Sequence, residues 1–304
     1  MRIALIGQAG FGADVLKKLV DKGHQVVGVF CPPDRGSKVD PLKGAAQTAG
    51  VPVFQPPRMK DPEAYDQMVS LNPDLAVLAF VTDIVPGKVL EVPKIGSICY
   101  HPSILPKYRG ASAINWAVIN GESKSGLTIF WVDKGIDTGD ILLQKEVEIG
   151  PEETTGQVYF NKLYPMGVDA VIEAVELIAA GQAPHIPQDH SQATYDPPCD
   201  EKVAGLDWQK PGRDVFNFIR GCDPQPGATT SFRGEKVKLY NAKFMEEAHQ
   251  ALPGEILEVT DKGLKVAVKN GAVLIGRFRT KELGKVKAPE FIEAKQPQAG
   301  ERFG

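Results

Sequence analysis

The sequence has only four cysteines in 304 residues (Cys31, Cys99, Cys199 and Cys222), far apart and with no C-x-x-C pair. That usage argues against a disulfide framework and against zinc sites, and it fits a cytoplasmic protein. No apolar run approaches the ~18 residues of a membrane helix. The N-terminus, MRIALIG, enters a strand-like run with no signal-peptide h-region, so no membrane association is expected. A G-x-x-x-x-G-K-[ST] stretch is absent, which excludes a P-loop nucleotide site. Internal repeats and low-complexity segments are absent too. Net charge is small at -3, which gives no support to a general nucleic-acid binder, and no DNA partner is expected. From Gly205 onward, 17 Lys and Arg face 13 Asp and Glu, a surplus of +4. An ordinary solvated surface accounts for it, although such a module could touch phosphates.

What is present fits a folded globular chain: 42% hydrophobic and 24% charged residues, in a length sufficient for about two domains at ~150 residues each. The first 150 residues alternate apolar runs (Ile3–Ile6, Gln25–Phe30, Leu75–Phe80, Ser97–Tyr100, Leu127–Val132) with amphipathic stretches (Ala13–Leu19, Lys43–Ala49, Pro62–Leu71, Ala111–Ile119). Strands apolar on both faces, alternating with helices, predict an α/β fold with a mostly parallel sheet. Ligands in such folds bind at the carboxyl ends of the strands. A longer helix is predicted over Gly167–Ala180, with Pro165 at its start and Gly181 as its stop. The proline-rich stretch Gln182–Ala204 resembles a linker. Asp207–Arg220 has a helical pattern, and the remainder shows short strands with turns at Arg233-Gly234, Lys262-Gly263 and Asn270-Gly271, suggesting a small antiparallel barrel. The expected domains are therefore 1–181 and 205–304, joined by 182–204.

Gly7-Gln8-Ala9-Gly10-Phe11-Gly12 follows the first strand, but its spacing is G-x-x-G-x-G rather than the dinucleotide G-x-G-x-x-G. A tight strand-to-helix turn explains the small residues. Among the five histidines, His185 and His190 lie in the linker and look like surface residues. His101 differs, because it follows Ser97–Tyr100 and opens a loop held by two prolines, HPSILPKYRG. The second cluster, Asp133 to Asp140 (DKGIDTGD), follows Leu127–Val132. Three aspartates near glycines are also what a turn needs. If the two strands are neighbours, however, an imidazole and a carboxylate converge, a pair able to divide acid and base roles.

HPSILPKYRGASAINW followed by DKGIDTGDILLQ, with His101 and Asp137 in them, resembles the formyltransferase family that uses 10-formyltetrahydrofolate. That family includes methionyl-tRNA formyltransferase, glycinamide ribonucleotide formyltransferase and the N-terminal hydrolase domain of 10-formyltetrahydrofolate dehydrogenase. The resemblance covers nearly the whole chain. GHQVVGVF, DPLKGAA, GVPVFQPPR, GASAINWAVINGE, LTIFW and FIRG are most similar to the hydrolase-domain branch. It implies a Rossmann-like formyl-transfer domain with a C-terminal OB-like barrel, and catalytic roles for His101 and Asp137. It also implies folate contacts at Asp83, Ile84 and Val85, where the pteridine would lie against Phe80–Pro86, with Asp137 contributing to substrate binding.

The same resemblance implies no metal and no tightly bound cofactor, with 10-formyltetrahydrofolate as substrate and tetrahydrofolate as product. The acceptor it implies is water or an amine, such as methionyl-tRNA or a small metabolite. Two departures favour the hydrolase-like branch. Cys99 stands where these enzymes usually carry Asn, two positions before the catalytic His, and Pro33–Leu42 is shorter than the basic loop that grips tRNA. The chain holds no carrier or aldehyde dehydrogenase domain after residue 304, so the complete dehydrogenase reaction is not expected. Intact His101 and Asp137 weigh against a folate-binding protein that has lost catalysis.

Overall fold

Aliphatic runs buried on both faces build the first sheet. The computed structural model describes residues 1–34, 36 and 38–304. In it β1 (Arg2–Gly7), α1 (Ala9–Asp21), β2 (Gln25–Phe30), α2 (Pro41–Thr48), β3 (Val53–Phe54), α3 (Pro62–Leu71), β4 (Leu75–Ala79), α4 (Gly87–Leu90) and β5 (Gly96–His101) alternate along the chain. Next come α5 (Ala113–Ile119), β6 (Lys124–Trp131), β7 (Ile141–Glu148), α6 (Thr155–Val158) and α7 (Tyr164–Ala179). The strands pair in the order β3-β2-β1-β4-β5-β6-β7. The first five are mutually parallel, and β6 runs antiparallel to β5. Ile3, Leu5, Leu75 and Ala76 have no exposure, as strands covered on both faces require. The predicted α/β class with a mostly parallel sheet is present.

The predicted helix after residue 165 is α7. Val168, Val171, Ile172, Val175 and Ile178 are its buried face, and Pro165 lies in its first turn. Gly181 ends it at φ +67, with Gln182 N–H returning to the Leu177 carbonyl at 2.8 Å. Two strands of this sheet, the two-residue β3 and the eight-residue β7, escaped the sequence reading. β7 is only partly buried and carries Gln, Lys and Glu, so it lacks an apolar run.

The chain divides into two compact units, neither of them one continuous stretch. The first comprises Met1–Arg109, Gly126–Glu146 and Lys162–Tyr195; the second comprises Gly110–Ser125, Val147–Asn161 and Asp196–Gly304. The second unit contains α8 (Gly212–Gly221), β8 (Ala228–Phe232), β9 (Glu235–Met245), β10 (Ile256–Thr260), β11 (Gly263–Val268), β12 (Gly271–Thr280), β13 (Gly284–Lys287) and α9 (Ala288–Lys295). Its antiparallel sheet has the order β10-β11-β12-β9-β8, with β13 on β12. Arg233 and Gly234 both have positive φ, the geometry of a two-residue hairpin turn. Phe278 stacks on Phe291 with ring centroids 4.2 Å apart in its core. The helix expected from Asp207 starts only at Gly212. Asp207 instead accepts from Gln209 N–H in a turn (2.9 Å), and Pro211 stands at the N-cap. Cys199 and Cys222, distant in sequence, bring their sulfurs to 4.0 Å as free thiols. No helix among the described residues is long and apolar enough to cross a membrane.

The Gly7–Gly12 turn is a close strand-to-helix turn. A Cβ on Gly7 would collide with the Ala79 carbonyl. The Ala9 N–H at the start of α1 donates to both carboxylate oxygens of Asp40 (3.0 and 3.1 Å), which also cap α2 through Leu42 N–H (2.9 Å). A helix N-terminus of this kind receives the pyrophosphate in dinucleotide folds; here the chain's own carboxylate fills it. Asp40 belongs to the short stretch Pro33–Leu42, of which Arg35 and Ser37 lie outside the described residues.

Two outcomes follow from these contacts. Asp40→Ala should destabilise the protein by about 1–2 kcal/mol, the loss of a good N-cap, measured by urea unfolding; no loss would show that the two caps contribute nothing. In the second unit, hydrogen bonds from Lys238 and Lys236 pull the Glu201 pKa from 4.5 to about 2. Stability from this carboxylate is therefore present above pH 4.5 and lost as pH falls toward about 2. The stability difference between wild type and Glu201→Gln should shrink across that window, and a constant difference would contradict the assignment.

Candidate active site

Alternation along β5 sends Tyr100 to one face and Cys99 and His101 to the other. Tyr100 packs on Phe11 (ring centroids 4.5 Å) and against Gly167, where a Cβ would lie 2.6 Å from the Tyr100 ring. That packing fixes the strand from behind. His101, the last residue of β5, is buried, and its Nε2 lies 2.7 Å from the Tyr108 carbonyl oxygen. A carbonyl only accepts, so Nε2 carries a hydrogen. Nδ1 is then the nitrogen that faces Asp137, whose Oδ2 is 3.4 Å away.

The loop after His101 follows a defined path because polar groups on β6 and β7 fasten it. Thr128 Oγ1 donates to the Ser103 carbonyl (2.7 Å) and accepts from Leu105 N–H (3.1 Å). Gln144 Nε2 donates to the Leu105 carbonyl (2.9 Å) and to Thr128 Oγ1 (3.0 Å). Ser103 Oγ closes the loop on the Lys107 carbonyl at 2.6 Å.

His101 and Asp137 do converge, but by an indirect route. The register pairs His101 with Thr128 and Ile98 with Trp131, so the chain leaves β6 beside the start of β5. There Val132 N–H donates to the Ser97 carbonyl at 2.8 Å. The loop Val132–Asp140 returns along the sheet face to reach His101. Its three aspartates divide the work. Asp133 Oδ1 accepts from Gly135 N–H (2.9 Å) and Thr138 Oγ1 (2.6 Å), a turn role, and Asp140 lies 3.6 Å from His185 Nδ1. Asp137 alone faces the imidazole. It stands at φ +55, a left-handed conformation that costs a non-glycine residue roughly 1–2 kcal/mol. Gly139 is obligatory, because a Cβ there would overlap the Trp131 carbonyl.

β4 pairs in parallel with β5, so its following loop opens at the same end of the sheet as His101. Within that loop Asp83 is a brace, accepting from Met59 N–H (2.8 Å) and Ile84 N–H (3.0 Å). Val85 is anchored in the core, whereas Ile84 is 76% exposed, an apolar surface open to a ligand. A cavity of about 850 Å³ sits at the carboxyl ends of β1, β2 and β4, lined by Gly7, Ala9, Phe30, Asp40, Arg58 and the Val81–Asp83 segment among others. Neither His101 nor Asp137 lines it; the cavity meets the β4 loop, not the pair itself.

The cysteines near these loops are not nucleophiles. Burial, aided by the Asp137 charge, pushes the Cys99 thiol far up, and its Sγ donates to the Tyr100 carbonyl at 3.5 Å. Burial and the nearby Asp40 push Cys31 up to about 11. Among the described residues, no group of three or more His, Cys, Asp or Glu side chains is arranged to hold a metal ion.

Two residues of the site went unrecognised in the sequence. Arg109 closes the HPSILPKYRG loop, so its place in that motif was a signal. It is buried and bonds to Gln188, which in turn donates to the carbonyls of Asp137 and Gly139. Gln188 lies in the proline-rich stretch, where nothing in the pattern singled it out. His190 and His185 are exposed, as expected of surface residues, and both make contacts. His190 Nδ1 is 2.8 Å from Arg109 Nη2, and His185 stacks on Trp131 with ring centroids 4.6 Å apart.

Comparison with known proteins gives this geometry its context. Cytosolic 10-formyltetrahydrofolate dehydrogenase of Xenopus laevis is 42% identical over 309 residues, covering 100% of this chain and 34% of that protein. The chain thus spans about a third of that relative's length. Methionyl-tRNA formyltransferase of Alkaliphilus oremlandii is 39% identical over 273 residues, covering 88% of each chain. A crystal structure of HypX from Aquifex aeolicus in complex with tetrahydrofolic acid shares the fold, with a TM-score of 0.72 at 21% identity over 99% of this chain and 48% of that one. Residues 1–175 match the family described as formyl transferase and residues 200–296 its C-terminal domain, and the chain belongs to the formyl transferase family.

Proposed function

We propose that the chain is a 10-formyltetrahydrofolate-dependent enzyme that passes the formyl group to water, releasing formate and tetrahydrofolate. The observation that carries this reading is the buried His101 with Nε2 committed to a backbone carbonyl and Nδ1 turned to Asp137 at 3.4 Å. The first compact unit, whose Lys162–Tyr195 segment takes in part of the stretch expected as a connector, carries the chemistry. The folate is substrate and product rather than a resident cofactor. Its pteridine lies against Phe80–Pro86, with the exposed Ile84 as apolar contact and Asp83 and Val85 holding the loop. The four free thiols fit a reducing, cytoplasmic setting.

Attack on the formyl carbon needs a base, and Asp137 takes the proton of the incoming water. Negative charge develops on the formyl oxygen. His101 meets it as the imidazolium, through the hydrogen on Nδ1, since Nε2–H is already bonded to the Tyr108 carbonyl. Collapse of the tetrahedral intermediate breaks the bond to N10, which takes the proton held by Asp137, and formic acid departs and ionises to formate. Cys99 supports water as acceptor. Its thiol donates to the Tyr100 carbonyl and supplies no amide to the oxyanion, so the site is less complete as an amine formyltransferase.

A second reading, transfer to methionyl-tRNA or another amine, has two supports. The methionyl-tRNA formyltransferase relative matches this chain over 88% of both lengths. The second unit also places Arg279 opposite both Lys238 and Lys285, and Arg277 opposite Lys287. Like charges across strands destabilise a sheet, and phosphates would relieve them. Glu201 and Asp223 offset part of that charge.

His101→Ala and Asp137→Ala should each lower kcat for formate release by ~10²–10⁴, the usual worth of a positioned acid or base. Tetrahydrofolate binding and the unfolding midpoint should stay near wild type. Near-native turnover in either variant would refute the catalytic role of that residue. Cys99→Asn adds an amide donor and should raise turnover, though by less than the ~10²–10³ of a preorganised oxyanion donor. Unchanged turnover would show that Cys99 has no bearing on the acceptor.

A further inference from the structure

The stretch 184–195 is bound tightly to the Asp137 loop. Trp131 Nε1 donates to the Pro184 carbonyl (2.9 Å), and Ile186 exchanges both backbone hydrogen bonds with Ile141 (2.8 and 3.0 Å). Trp131 and Ile141 flank the loop, so the segment bridges its two ends. Two residues on, Gln188 is buried, and its amide bonds with all of its polar atoms. Nε2 donates to the carbonyls of Asp137 (3.0 Å) and Gly139 (2.7 Å), and Oε1 accepts from Arg109 Nε (3.2 Å) and Nη2 (2.7 Å). A guanidinium only donates and a carbonyl only accepts, so this amide has a single permitted orientation.

Arg109 is itself fixed. Nη1 donates to Tyr195 Oη (2.9 Å), Nη2 lies 2.8 Å from His190 Nδ1, and the backbone N–H donates to the Thr194 carbonyl (2.9 Å). Asp137, at φ +55, stands in a conformation that a non-glycine residue keeps only when its surroundings impose it. The two amide donations supply that constraint, on Asp137 itself and on the residue two positions later.

We propose that Gln188 is a positioning residue: oriented by Arg109, its amide fixes the backbone of Asp137 and Gly139 and so aims the Asp137 carboxylate at His101 Nδ1. The proposal rests on Asp137 acting as the base. It makes the proline-rich segment part of the catalytic apparatus rather than a connector. At metal sites, groups that orient a ligand are worth 10- to 100-fold in affinity or activity, and the same order is expected of a group that orients a base.

The test uses the full chain and 10-formyltetrahydrofolate, alone or with charged initiator tRNA, whichever supports wild-type turnover. Gln188→Glu keeps an acceptor for Arg109 and the docking of the segment but loses both donations to the loop. Gln188→Met keeps the volume and loses every hydrogen bond. Both should lower kcat by 10- to 100-fold with KM for the folate unchanged. Gln188→Glu, which keeps the Arg109 pairing, should lose less of the unfolding midpoint than Gln188→Met and should alter the pH profile of kcat. Wild-type kcat in Gln188→Glu, alongside an inactive Asp137→Ala, would overturn the positioning role alone. A loss of kcat matched by a raised KM and an unfolding midpoint as low as that of Gln188→Met would also overturn it, in favour of a purely structural one. An active Asp137→Ala would instead overturn the reading on which the proposal rests.

Discussion

The hydrogen bond between His101 Nε2 and the Tyr108 carbonyl decides what the site can do. It commits one ring nitrogen to the backbone and leaves Nδ1 as the only nitrogen able to meet Asp137 and a substrate. Everything around it preserves that commitment. The loop that carries Tyr108 is tied down through Ser103, Leu105, Thr128 and Gln144, and β5 is held from behind by Phe11 and Gly167. Were Tyr108 to relax, the imidazole could rotate and its pairing with Asp137 would be lost.

Three non-glycine residues at positive φ lie in the loops that carry the site. Phe80, Tyr108 and Asp137 all have φ between +55 and +63, although none is a residue type that adopts this region easily apart from the aspartate. Elsewhere Asn72 ends α3, Asn270 sits in a turn and Asn241 lies within β9, and Ala9, Ser112, Arg233 and Gln296 share the conformation too. Each strained residue costs on the order of 1–3 kcal/mol and persists only where neighbours impose it. Three such residues, one each in the loops after β4, β5 and β6, hold backbone conformations that their own preferences would not select.

The sequence made the parallel strands legible because their aliphatic runs are buried on both faces, and α7 legible through its 3.6-residue spacing. His101 stood out through its place at a strand end before two prolines. The antiparallel turn of β6 was hidden, since an apolar run has no direction, and with it the return path of the Asp137 loop. Gln188 was hidden for a different reason. A buried amide in a proline-rich stretch has no periodicity to betray it, and its importance lies in carbonyls some 50 positions away. Pro211, at the N-cap, marks the true start of α8, a signal that the reading from Asp207 passed over.

The central claim is that this site delivers a formyl group to water. The most direct measurement is formate release from 10-formyltetrahydrofolate by the purified protein, side by side with and without charged initiator tRNA. Steady release without any amine, with little formylation of the tRNA when it is present, is the predicted result. Release that requires the tRNA or another amine would contradict the claim and establish the chain as a transferase.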